Sequence, residues 1–91
     1  LLRMAEAAAE FEDMLAMVRT RLGDAHPMTA KTAMHTSIWQ QNDERFEDAF
    51  QVFAGLPEDA IAEEPIRRAH YLVAKASAAL GGSLRSISRQ T

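Results

Sequence analysis

Leu22-Gly23-Asp24-Ala25-His26-Pro27-Met28-Thr29, followed after one helix length by Phe46-Glu47-Asp48-Ala49-Phe50-Gln51-Val52-Phe53, is the stretch on which the fold of this chain turns. The first segment reads as a helix exit and a new helix start, because Gly23 suits a left-handed terminus and Pro27 suits a first helical residue. The second has an earlier echo. Phe11-Glu12-Asp13 returns as Phe46-Glu47-Asp48, and Phe11, Met14, Leu15 and Val18 return as Phe46, Ala49, Phe50 and Phe53 at the same 35-residue offset. A helical unit recurring at such a spacing is the signature of a helix-turn-helix repeat.

Before this stretch, residues 1–22 read as one amphipathic helix. Met4, Ala8, Phe11, Leu15, Val18 and Leu22 keep the three-and-four spacing that gathers apolar side chains on one stripe. Arg19 and Arg21 fall in its last turn, where cations complement the carbonyl end of the helix dipole. Within it, residues 29–41 read as a second helix. Ala30, Ala33 and Ser37 form a small-residue stripe for close helix approach, Met34, Ile38 and Gln41 share the adjoining face, and Trp39 reads as a packing anchor. Asn42-Asp43 is expected to end that helix and cap a third over 44–55, with Phe46, Ala49, Phe50 and Phe53 inward and Glu47, Asp48 and Gln51 outward. The short link predicts antiparallel neighbours.

After it, residues 60–64 around Ile61 allow one further helical turn. Pro65 then opens a fourth helix, whose inward stripe is expected to be Ile66, Ala69, Leu72, Val73, Ala76 and Leu80, stopping at Gly81-Gly82. Ser83 is expected to cap a short fifth helix with Leu84 and Ile87 inward. Pro65, Gly82 and Leu84 stand 38 residues beyond Pro27, Glu44 and Phe46, a faint second return of the same unit.

Composition agrees with an all-α chain. Helix formers dominate the 91 residues, β-branched residues are few, and glycine and proline sit between periodic segments. A chain of this size buries a modest core, so its stability alone is expected to be marginal. The lack of cysteine excludes disulfide frameworks, thiolate nucleophiles and thiolate zinc sites. No apolar run reaches the roughly 18 residues of a membrane span, and acid at Glu6 argues against a targeting peptide. The chain reads as soluble and intracellular, and its start without an initiator Met suggests a processed or excerpted piece. Charge is uneven. Through Glu64 there are thirteen acids against five bases, whereas from Pro65 onward there are five bases, Arg67, Arg68, Lys75, Arg85 and Arg89, and no acid. Complementary ends that help repeats or subunits stack explain this better than a nucleic-acid footprint, which would interleave aromatics.

Residues 22–53 resemble a tetratricopeptide repeat, of the longer variety found in kinesin light chains, whose repeats open on Leu-Gly-x-x-His-Pro-x-Thr. Here that opening is Leu22 to Thr29, and the small residue, first aromatic, alanine and second aromatic of the repeat fall on Ser37, Phe46, Ala49 and Phe53. Three positions depart from the pattern: Thr36 replaces leucine, Gln40 tyrosine and Glu44 glycine. The resemblance implies antiparallel helix pairs stacked as a fragment of an α-solenoid, with about four to five helices in one domain over 1–91. Residues 1–22 would be the second helix of a preceding repeat, 27–55 the best-matching helix pair, and 65–91 an incomplete following repeat. It also implies a concave face on which Lys31, Met34, Ile38 and Gln41 would hold a protein or peptide partner.

Little in the sequence points to chemistry. His26, His35 and His70 have no ligand spacing to one another or to carboxylates, so no metal is expected, and His26 fits the turn. Glu12-Asp13, Glu47-Asp48 and Glu63-Glu64 splay by about 100° on a helix, which suits solvated faces. Gly81-Gly82 lacks the strand and lysine of a phosphate loop. Arg85-Ser86-Ile87-Ser88-Arg89 is a weak phosphorylation candidate. The expectation is therefore a non-enzymatic, cofactor-free interaction module that binds a peptide, a helix, a neighbouring subunit or itself. A small structural accessory subunit, or a regulatory repeat domain in a longer signalling or transcription protein, is the alternative.

Overall fold

A computed structural model describes the backbone of residues 2–90 and the side chains of residues 3–80. The fold is all-α. Five helices follow in order: α1 (Leu2–Leu22), α2 (Pro27–Asn42), α3 (Phe46–Gln51), α4 (Glu58–Ala62) and α5 (Pro65–Gln90). α1 packs on α2, α2 also meets α3, α4 and α5, and α5 lies against α3 and α4. The described residues extend 45 × 26 × 18 Å.

The α1–α2 turn follows from its sequence. Gly23 adopts φ +82° and donates its N–H to the Arg19 carbonyl at 3.0 Å, closing α1 in the left-handed way glycine allows. His26 caps α2, its Nδ1 accepting the Met28 N–H at 3.0 Å, and Pro27 takes the first helical position. Thr29 Oγ1 donates to the Gly23 carbonyl at 2.6 Å, and Thr36 Oγ1 reaches the Phe11 carbonyl at 3.2 Å. Residue numbers that meet run in opposite directions, so the two helices form an antiparallel hairpin.

The seam expected on α2 is present: Ala30, Ala33 and Ser37 are fully buried, along with Thr29 and Thr36, while Gln40 is almost so. On α1, Ala8 and Leu15 are buried and Met4, Phe11 and Val18 half-buried, but Leu22, the last residue before α1 ends at Gly23, is exposed. The central apolar cluster joins Leu15, Ala30, Ala33, Ala49, Phe53, Leu56, Ile61 and Ala74, with Phe50, Val52, Ala60 and Tyr71 against it. Trp39 is half-buried.

Three expectations need correction. The third helix is α3, Phe46–Gln51, and not the whole of 44–55. Glu44 sits at φ 59° and Arg45 takes the cap position without a side-chain cap, while Gly55 at φ +86° turns the chain after Phe53. Asp43 therefore closes α2 but does not cap α3. Next, α5 runs through Gly81-Gly82 to Gln90. Glycine in a helix interior costs about 1 kcal/mol relative to alanine but keeps its N–H, so the helical backbone can continue there. The proposed inward packing of Leu84 and Ile87, and the side chains of Arg85 to Arg89, lie outside the described residues. Finally, α5 is rotated by about half a turn from expectation. Ile66, Ala69, Leu72, Val73, Ala76 and Leu80 are all exposed, whereas Arg67 and Ala74 are buried and His70, Tyr71, Ser77 and Ala78 half-buried.

Candidate protein-interaction surface

The rotation of α5 has a local physical cause. At about 100° per residue, Arg67, Tyr71, Ala74 and Ala78 fall on one side of the helix, and their small or planar side chains fit close against α3 and α4. Tyr71 packs edge-on to Phe53 with ring centroids 5.3 Å apart, and lies 5.9 Å from Phe50. Arg67, only 7% exposed, donates from Nη1 to the Ala60 carbonyl at 2.6 Å, serving the carbonyl end of α4. A buried guanidinium without that acceptor would be costly. The aromatic and carbonyl contacts hold this face inward, and the larger aliphatic side chains are left on the other side.

That outer face is continuous. In helical projection Leu72, Ala76, Ala69, Leu80, Val73 and Ile66 follow one another around about 120° of the surface. Ile66 is 64% exposed, Leu80 55%, Val73 52% and Leu72 48%. Arg68 and Lys75, both exposed, border the stripe on its Leu72 side. Beside Leu72 a recess of about 260 Å³ opens between α4 and α5, lined by Glu58, Ile61, Ala62, Arg68, Tyr71 and Leu72.

Lys31, Met34, Ile38 and Gln41 do share one side of α2, adjoining its buried seam. Lys31 is exposed and the other three half-buried, and Gln41 Nε2 already donates to Ser37 Oγ at 3.2 Å. This face is smaller and less apolar than that of α5. The three histidines are dispersed: His26 caps α2, His35 stacks on Phe11 with ring centroids 5.8 Å apart, and His70 is half-buried on α5. Among the described residues no three His, Asp or Glu side chains converge on a common point. Nor is any described helix long and apolar enough to cross a membrane.

Polar ties that sequence reading missed hold these surfaces in place. The C-terminal carbonyls of α3 are served from outside that helix: the Phe53 N–H turns to the Phe50 carbonyl, and Ser37 Oγ donates to the Ala49 carbonyl at 2.7 Å. Arg19, expected to complement α1's own dipole, instead donates Nη2 to the Val52 and Ala54 carbonyls at 2.7 and 3.0 Å. Its Nε lies 3.0 Å from Asp24 Oδ1 without hydrogen-bond alignment, so that contact is purely ionic. Arg45 joins α1 to the start of α3, with Nη1 2.6 Å from Glu12 Oε1 and Nη2 2.9 Å from Asp48 Oδ2. The hydrogen bond to Glu12, opposed in part by burial, holds the Arg45 pKa above its already high ordinary value. Sequence separation hides them, 33 to 35 residues for the carbonyls of Arg19 and the Glu12 partner of Arg45 and 12 for Ser37 and Ala49, since each is an ordinary arginine or serine in sequence.

Compared with known proteins, the chain matches no protein-family model, no curated protein and no solved structure.

Proposed function

We propose that this chain is a protein-interaction module, a tetratricopeptide-like stack of helix pairs that holds a helix or neighbouring subunit on the outer face of α5. The observation that carries the reading is the inverted helix: α5 turns its aliphatic stripe to solvent and buries an arginine. Leaving apolar surface in water forgoes about 25 cal/mol for each Å², and a contiguous stripe, unlike scattered single residues, marks an interaction face. The adjoining recess supplies a socket for an anchoring side chain. Two further features support the repeat reading. α1 packs on α2 and α2 on α3, and α5 then returns to lie on α3 and α2. Glu44, where the resembled repeat carries glycine, has the left-handed backbone glycine prefers.

The α2 face of Lys31, Met34, Ile38 and Gln41 is a second, smaller candidate within the same reading. No catalytic role is proposed. A photo-activatable amino acid placed at position 72, and separately at 34, in cells that make the protein tests the proposal. Covalent protein adducts at position 72 are expected. Adducts at 34 alone would move the function to α2, and none at either position would sink the module reading.

A further inference from the structure

Resting on that reading, we infer that the partner covering α5 is a second copy of this chain, which docks the outer face of its α1 on the α5 stripe so that copies join head to tail. The two faces match in charge. Arg68 and Lys75 edge the α5 stripe, and α5 carries no acid, while α1 exposes Glu6, Glu10 and Asp13 along the middle of the side turned away from α2, with Arg3 and Arg21 exposed only at its two ends. They also match in character. Met14 and Met17 stand 44% and 49% exposed beside those acids, with Ala9 and Ala16 next to them, so α1 offers apolar surface where α5 needs it.

A methionine is an unbranched, adaptable side chain, and the recess of about 260 Å³ beside Leu72 is open to one. Length fits as well. The stripe from Ile66 to Leu80 spans about 22 Å of helix, and the 21 residues of α1 span about 32 Å.

Within one chain α1 and α5 both pack on α2 but do not touch each other among the described residues. Both faces are thus free at once, and pairing one kind with the other is heterologous and adds copies in series, whereas self-pairing of either face would stop at a dimer. A single helix-on-helix contact is smaller than the roughly 1,200 to 2,000 Å² of standard stable interfaces, so association is weak and depends on concentration.

The experiment is sedimentation velocity of the full chain over rising concentration at low and high salt. Two variants are run beside it, Arg68→Glu with Lys75→Glu on α5 and Glu10→Lys with Asp13→Lys on α1. All four positions are exposed, and circular dichroism checks that each variant keeps its helicity. The wild-type protein is expected to grow from 10.1 kDa to dimers and beyond, and to associate less as salt screens the charges. Each variant alone should associate about tenfold more weakly or worse, and an equimolar mixture of the two should recover to within about threefold of wild type, because the intact α1 face of one variant meets the intact α5 face of the other and the two reversed faces complement each other. A wild-type chain that stays monomeric, an α1 variant that still dimerises by itself, or a mixture that fails to recover overturns head-to-tail pairing. If position 72 still gives adducts with a different protein, the module reading survives that failure. If neither position 72 nor position 34 gives any, both fall.

Discussion

Ser37 is a small residue with two tasks. Its lack of bulk lets α2 approach α3, and its hydroxyl serves the Ala49 carbonyl that the end of α3 leaves without a backbone partner. Ser37→Ala keeps the approach and loses the bond, leaving a buried acceptor, so a loss of about 1 to 3 kcal/mol is expected in urea unfolding. An unchanged midpoint would show that the carbonyl finds water. At Glu44 the strain is in the backbone, where a left-handed φ of 59° costs a non-glycine residue about 1 kcal/mol. Comparing Glu44→Gly with Glu44→Ala removes the side chain in both cases. The glycine variant is expected to be the more stable by about 1 kcal/mol, read as a higher melting temperature. Equal stability would mean that the turn relaxes around alanine.

At the scale of the element, α5 separates amphipathicity from burial. Its aliphatic stripe would be the inward face of an ordinary surface helix, yet Tyr71, Ala74 and Arg67 hold the opposite face against α3 and α4. Leu72→Gln and Val73→Gln, which in a core would cost several kcal/mol, should each change the stability of dilute protein by no more than about 0.5 kcal/mol. Tyr71→Ala should cost about 2 kcal/mol or more, since it removes both ring contacts to Phe50 and Phe53. The opposite ranking in thermal melts would restore the inward stripe and remove the basis of the proposed docking face. α3 makes a related point, for six residues are too few to be stable by propensity alone, and its carbonyl end depends on Ser37 and the turn that follows it on Arg19.

Across the whole molecule, arginines tie distant segments in addition to the apolar cluster of Leu15, Phe53, Leu56 and Ile61. Among the fully buried side chains the largest are Thr29, Thr36 and Ser37, so the buried side of α2 is a close-fitting seam of small residues. Arg45 links α1 to α3, and Arg19 links α1 to the turn after α3. The Arg45 pair is about one-third exposed on both sides, so its contribution is small and screened by salt. Arg45→Met is expected to cost up to about 1 kcal/mol at low ionic strength and less at high, measured by denaturant unfolding in both. A raised arginine pKa stabilises the fold at every pH below the unfolded value, so this pair introduces no pH dependence in the neutral range. A loss equal at both salt concentrations would mean that Arg45 acts through its short hydrogen bonds to Glu12 and Asp48 and not through screened charge, since methionine keeps the packing of the stem.

The sequence by itself determined the helical class, the Gly23 exit, the His26-Pro27 start and the Ala30-Ala33-Ser37 seam. Each depends on local backbone preference or on a single helix's periodicity, and both are written in neighbouring residues. It also placed Lys31, Met34, Ile38 and Gln41 together on one side of α2, although their role as a binding face stays a proposal. Tertiary structure alone decided where α3 begins and ends, which carbonyls Arg19, Ser37 and Arg67 serve, and which side of α5 is buried. Periodicity can say that a helix has two unlike faces. Which of them turns inward depends on the shape of the surface it meets, and the ring of Tyr71 on Phe53 and the reach of Arg67 to Ala60 hold the small-residue face there.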